Sequence, residues 1–134
     1  MAANGFTLDT ADEWVTNVSS DIHGVGLRSV EFGIEIHVRT QPPYEHELTQ
    51  RGLLALLRDQ QWASRPFDET TRVVGSLIVV AGTFEMQGDE VVREFFITDG
   101  HSLANAAMPG KRAHVAAAAQ AAERLVASIR FTAG

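Results

Sequence analysis

Apolar and polar positions alternate without interruption along "VEFGIEIHVR". Val30, Phe32, Ile34, Ile36 and Val38 are interleaved with Glu31, Gly33, Glu35, His37 and Arg39. Period-2 alternation over this length predicts a long strand with one face buried and the other wet. Pro42 and Pro43 stop it, because proline cannot donate to a ladder. The preceding "SSDIHGVG", with Gly24 and Gly26, reads as a loop. Further upstream "GFTLDT" (5–10) alternates as a short first strand, and "ADEWV" reads as a turn carrying Trp14.

A helical period replaces the alternation in "YEHELTQRGLLALLRDQQW" (44–62), where Leu53, Leu56 and Leu57 form an apolar stripe that extends back to Leu48 or Thr49. Glu45 and Glu47 fall in its expected first turn, where they complement the helix dipole. Gly52 weakens it, and Pro66 marks a break after it. Next come "TRVVGSLIVVAGTFEM" (71–86) and "EVVREFFIT" (90–98), two expected strands joined by "QGD". The first is apolar on both faces, with Val74, Ile78, Val80 and Phe84 against Val73, Leu77 and Val79. That pattern predicts a central strand covered on both sides. Phe95 and Phe96 give the second strand the same character.

Asp99-Gly100 predicts a two-residue type I′ hairpin, with Thr98 opposite His101, Ile97 opposite Ser102 and Phe96 opposite Leu103. Pro109-Gly110 are expected to end that strand. The alanine-rich "KRAHVAAAAQAAERLVASIRF" (111–131) then forms a helix whose apolar stripe is Val115, Ala118, Ala122, Leu125 and Ile129. Hairpin-connected strands with helices between and after them indicate one α+β domain over residues 1–134, its antiparallel sheet covered by helices on both faces.

Composition narrows the function classes. Seventeen acidic and eleven basic residues give a net charge of -6, and the densest basic spot is the pair Lys111-Arg112. Such a chain repels phosphate backbones, so nucleic acid is not an expected partner. There are no cysteines, which excludes disulfides, thiolate catalysis and Cys-ligated zinc. The start of the chain lacks the basic and apolar regions of a secretory signal, and no apolar run approaches the roughly 18 residues of a membrane span. A cytoplasmic location is the expectation.

Asp99, His101 and Ser102 resemble fragments of hydrolase chemistry. A triad requires the acid to hold the imidazole and the imidazole to reach the hydroxyl. With His101 and Ser102 on opposite faces of a strand, and Asp99 committed to the turn, that geometry does not form. No G-x-S-x-G elbow, H-E-x-x-H pair or G-x-G-x-x-G loop occurs, so neither a metal nor another cofactor is expected. Glu31 and Glu35 would stand about 13 Å apart on an extended strand, too far for the paired carboxylates of glycosidases.

Four side chains are the candidate binding residues. Glu35, His37 and Arg39 form a row on the wet face of the long strand, either a binding patch or a solvated face. Arg93 shares a strand face with Val91, Phe95 and Ile97. It either lays its stem over that face with its head in water or anchors a carboxylate or a partner's carbonyl.

The order of elements resembles the PsbP-like and DcrB-like α/β/α sandwich superfamily over nearly the whole chain. "GFTLDTADEW" is similar to that family's F-x-(V/L)-x-x-P-x-x-W opening, without the proline. "LRSVEFGIEIHVR" resembles its second strand. "VVGSLIVVAGTFEMQGDEVVREFFITDGHSLANAAM" resembles its Gly-led strand, Arg-containing strand and Asp-Gly hairpin, and "AAERLVASIRF" its terminal helix. The family includes photosystem accessory subunits, Ran-binding nuclear transport factors, bacterial lipoproteins and cytosolic chaperones of type VI secretion effectors. It has no catalytic residues to carry over. The resemblance therefore implies a non-enzymatic protein-binding or chaperone-like module of a bacterial cytosol. Since the chaperones often dimerise, a second copy of the chain is an expected partner. Two alternatives stand beside it: a ligand-binding domain or minor enzyme using Glu35, His37, Arg39 or Arg93, and a structural subunit of a larger assembly.

Overall fold

The two-faced apolar strands dictate the architecture, since each face needs its own cover. The computed structural model describes residues 2–3, 5–16, 24–41, 48–60 and 65–132, the first two in backbone only. In chain order the elements are β1 (Ala2–Ala3), β2 (Phe6–Thr7), β3 (Trp14–Thr16), β4 (Gly24–Ser29), β5 (Glu35–Gln41), α1 (Gln50–Arg58) and β6 (Phe67–Val74). There follow β7 (Leu77–Glu85), β8 (Glu90–Thr98), β9 (Leu103–Lys111), α2 (Arg112–Ala127) and β10 (Arg130–Phe131). A seven-stranded sheet runs β3-β4-β5-β9-β8-β7-β6, and β1-β2-β10 make a small second sheet. All the pairings are antiparallel.

The α+β sandwich with helices on both faces is what the patterning predicts. Under α2, the buried Val115, Ala118, Ala122 and Leu125 meet Val79, Phe95, Ile97, Ala106 and Met108. Under α1, Leu53 and Leu57 meet Val80, Phe84, Val92, Phe96 and Leu103. Phe95 and Phe96 thus serve opposite cores, as adjacent strand residues must. Ile129, the last residue of the expected stripe, is buried just beyond the end of α2.

Several local expectations change. The long strand begins only at Glu35, because residues 30–33 form a turn between β4 and β5. Gly33 takes φ +68°, its N–H donates to Ser29 O (2.9 Å), and Ser29 Oγ accepts from Phe32 N–H (3.1 Å). Val30 and Phe32 are consequently 63% and 36% exposed, whereas Ile34, Ile36 and Val38 keep the buried face. The glycines expected in a loop lie within β4. A Cβ on Gly24 would stand 2.5 Å from Val38 O and 2.7 Å from Arg39 Cγ, so this residue permits close strand approach rather than a turn.

The run 71–86 is likewise divided at Gly75, whose φ of +60° places Val74 opposite Leu77. Val73, on the edge strand β6, is 67% exposed rather than buried. The next hairpin has a four-residue loop, with Thr98 paired to Leu103 and Phe96 to Asn105. A type I′ turn would need positive φ at both central residues, and only Gly100 adopts it (φ +107°). Asp99 Oδ1 instead accepts from the N–H groups of His101 (3.0 Å) and Ser102 (2.8 Å). The register therefore moves by two residues, which conserves faces, and Phe96 and Leu103 still share one core. β9 also continues through Pro109 and Gly110 to Lys111. Proline is tolerated there because β5 pairs with β9 only as far as Ala107.

The helix predicted over 44–62 is observed over Gln50–Arg58. Glu45 and Glu47 lie outside the described residues, and the first turn contains no acidic side chain. Thr49 caps it, its Oγ1 accepting from Gly52 N–H at 3.2 Å. Thr49→Ala is expected to cost about 1 kcal/mol, read as a lower urea midpoint. An unchanged midpoint would show that the cap contributes nothing.

Candidate binding site

Arg93 occupies the α2 face of β8, where its neighbours on the strand are apolar, yet it is only 8% exposed. The edge strand explains how the charge is accommodated. The β6–β7 register shifts between Phe67 and Thr70, with Asp68 at φ +52°, and this irregularity turns polar groups inward. Arg93 Nη1 donates to Thr83 Oγ1 (2.7 Å) and to Asp68 O (3.1 Å). Its Nη2 donates to Thr70 Oγ1 (3.3 Å). The guanidinium carbon also lies 5.7 Å from the Phe95 ring centre.

All three partners are neutral oxygens, and among the described residues no carboxylate is within ion-pair distance of Arg93. Burial lowers its pKa, and the charges of Asp68 and Glu123 only partly oppose that effect. The head is therefore neither in water nor fully compensated. Of the five guanidinium N–H donors, Nε–H and one Nη2 hydrogen make no hydrogen bond among the described residues.

Arg93 lines a cleft of about 580 Å³ between β6 and α2. Thr83 and Val91 share its floor, Phe67 to Thr70 form one wall, and Val115, Ala116 and Ala119 form the other. The cleft exists because α2 packs chiefly over β8 and β9, leaving β6 and β7 partly uncovered, and because its alanines add little bulk. Arg112 closes one end, 5.1 Å from the Phe67 ring centre and ion-paired to Glu85 (3.1 Å). Glu69, on the rim, is held by Arg58 (2.9 Å).

The other three candidate residues lie on the opposite face of the sheet. Glu35 and Arg39 are exposed and His37 is half-buried. Gln41 continues the row and donates from Nε2 to Asn105 Oδ1. No pocket unites these residues with Arg93, because the sheet separates them. The row instead approaches Glu94, a residue not anticipated from the sequence. The register sets Gly26, His37, Ala107, Glu94 and Gly82 side by side across five strands. His37 and Glu94 are thus two strand spacings apart, about 10 Å between Cα atoms. Glu94 is 4% exposed, and burial pushes its carboxyl up to about 7. Leu57, Pro66 and Glu69 lie over the neighbouring Gly82.

A readable signal pointed to Glu94: it stands between Val92 and Phe96 on its own face, as Arg93 does between Val91 and Phe95. The Thr70, Thr83 and Asp68 contacts had no such signal, since a strand irregularity creates them. Asp99, His101 and Ser102 all fall in the loop before β9, so the expected projection of His101 and Ser102 from a strand does not occur, while Asp99 does serve the turn. Among the described residues, no three His, Asp or Glu side chains gather as metal ligands. Nor is any helix there long and apolar enough to cross a membrane.

No family model matches the chain, and no curated protein matches it either. Solved structures do. The solution structure of cyanobacterial PsbP (CyanoP) from Synechocystis sp. PCC 6803 aligns with a TM-score of 0.53 at 9% identity, covering 98% of this chain and 95% of that one. LpqN, involved in cell envelope biogenesis of Mycobacterium tuberculosis, aligns with a TM-score of 0.55 at 10% identity, covering 96% of this chain and 83% of that one.

Proposed function

With the PsbP-like fold as premise, we propose that the protein is a non-catalytic accessory protein that works by holding a partner in the cleft between β6 and α2. The observation that carries this reading is Arg93, a buried cation with donors unused among the described residues, at the base of a cavity whose α2 wall is apolar. The cavity is of a size that holds small ligands or an inserted side chain. The accessory role draws support from the PsbP and LpqN likenesses. The finer reading is a chaperone-like module of a bacterial cytosol that engages another protein and forms homodimers. It is supported by the sequence resemblance and by the edge strand β6, which exposes Val73 and Val74.

The test compares the wild-type protein with Ala119→Trp, which fills the cleft from the helix side. Crosslinking in the source cells is expected to yield a partner with the wild type and to lose it with the variant. A partner retained by a folded Ala119→Trp protein would remove the cleft from the reading.

A further inference from the structure

We propose that the cleft recognises a carboxylate carried on a short apolar chain, with Arg93 receiving the carboxylate and the alanine face of α2 receiving the chain. This rests on the cleft being the binding site. Among the described residues Arg93 has Nε–H and one Nη2 hydrogen uncommitted, two donors of the kind that a carboxylate engages with both its oxygens. A singly charged group matches the remaining charge better than a phosphate dianion. Arg112, the other cation of the cleft, is already paired with Glu85.

Two acids also line the cavity, and neither reverses the selection. Glu69 is occupied by Arg58. Asp68 is exposed, so water and salt screen it, whereas an ion pair formed at the buried Arg93 is screened much less. Beyond the guanidinium, Phe67, Val91, Val115, Ala116 and Ala119 provide an apolar lining against which methylenes or an aliphatic side chain are withdrawn from water. The same chemistry has two sources, a free aliphatic acid or the C-terminal carboxylate of a polypeptide.

The experiment is a calorimetric and NMR titration at pH 8 with decanoate, decanol, and a hexapeptide ending in Leu-Val as free acid and as amide. Decanoate or the free-acid peptide is expected to bind at least tenfold more tightly than its neutral counterpart, with amide shifts at Val91, Arg93 and Ala116. Tight decanoate with a silent peptide identifies the free acid as the source. The reverse identifies a polypeptide C-terminus, and binding of both supports the shared chemistry. Ala119→Trp, which leaves Arg93 and its hydrogen bonds in place, is expected to weaken binding at least tenfold. Equal affinity for decanoate and decanol, both lost in Ala119→Trp, overturns carboxylate recognition and leaves the cleft as a binding site. Affinity unchanged in Ala119→Trp overturns both. No binding by any probe overturns the carboxylate proposal, while the crosslinking test of the cleft remains separate.

Discussion

Glu94→Gln raises the stability of the folded protein at pH 8 and leaves it almost unchanged at pH 4. The group is buried on the face beneath α1, between Gly82 and Ala107. On that face His37 lies beyond Ala107, and Glu69, paired with Arg58, lies beside Gly82; among the described residues none is hydrogen-bonded to Glu94. Desolvation alone therefore sets its behaviour, raising the carboxyl from 4.5 to about 7. A pKa raised in the folded state means that folding favours the protonated form. Below pH 4.5 both states are protonated and the residue carries no ionisation cost. Between 4.5 and 7 the unfolded chain releases its proton while the folded protein keeps it, so stability falls as pH rises. Above 7 the whole cost is present, about 3 kcal/mol at 1.36 kcal/mol per unit. Glutamine retains the shape without the charge. Urea unfolding of both proteins at pH 4, 6 and 8 should give curves that diverge across that interval. Parallel curves would show that Glu94 ionises as readily in the folded protein as in the unfolded chain.

Arg93→Met is expected to lower stability by about 3 kcal/mol, since hydrogen bonds from a buried charged donor are worth about 1.5–3 kcal/mol each and solvent replaces part of what is lost. The methionine keeps much of the apolar stem, so the loss reports on the head group. Its three acceptors belong to β6 and β7, so the damage should concentrate at the start of β6. Hydrogen exchange at residues 67–70 should accelerate more than exchange in β9. A double-mutant cycle with Thr83→Val should show coupling, because the Arg93–Thr83 hydrogen bond is the shortest of the three. Additive effects and uniform exchange would mean that Arg93 does not brace the edge strand.

The parts of the fold legible in the sequence are those that repeat a period without interruption. In β7 and β8 both alternating sets are apolar, and in α2 the stripe through Val115, Ala118, Ala122 and Leu125 holds for the whole helix. Turns were legible only where their chemistry broke the pattern. The 30–33 turn did not break it, because Val30 and Phe32 happen to continue the parity of Ile34. Gly75 was equally masked by valines on one side and Leu77 on the other. The hairpin at Asp99 was located, but its loop was two residues too short, since Asp99 uses its side chain to make the turn that its backbone does not. Arg93 stood out because a lone charge interrupts an apolar face. What completes its environment comes from Asp68 and Thr70, delivered by an irregular strand, and residue spacing carries no record of such a shift. Glu94 was open to the same logic as Arg93 and belongs to the opposite core.

The strand order also divides the molecule by sequence distance. β6, β7, β8 and β9 are chain neighbours as well as spatial neighbours, whereas β5 meets β9 by pairing residues 37–41 with 103–107. Closing that long loop carries a larger entropic cost than any hairpin of the meander, so it is the slower contact to make. Every wall of the Arg93 cleft lies within residues 67–119, on the quick side of this division. The row containing His37 exists only once β5 has docked. The two faces of one sheet thus become complete at different stages of assembly.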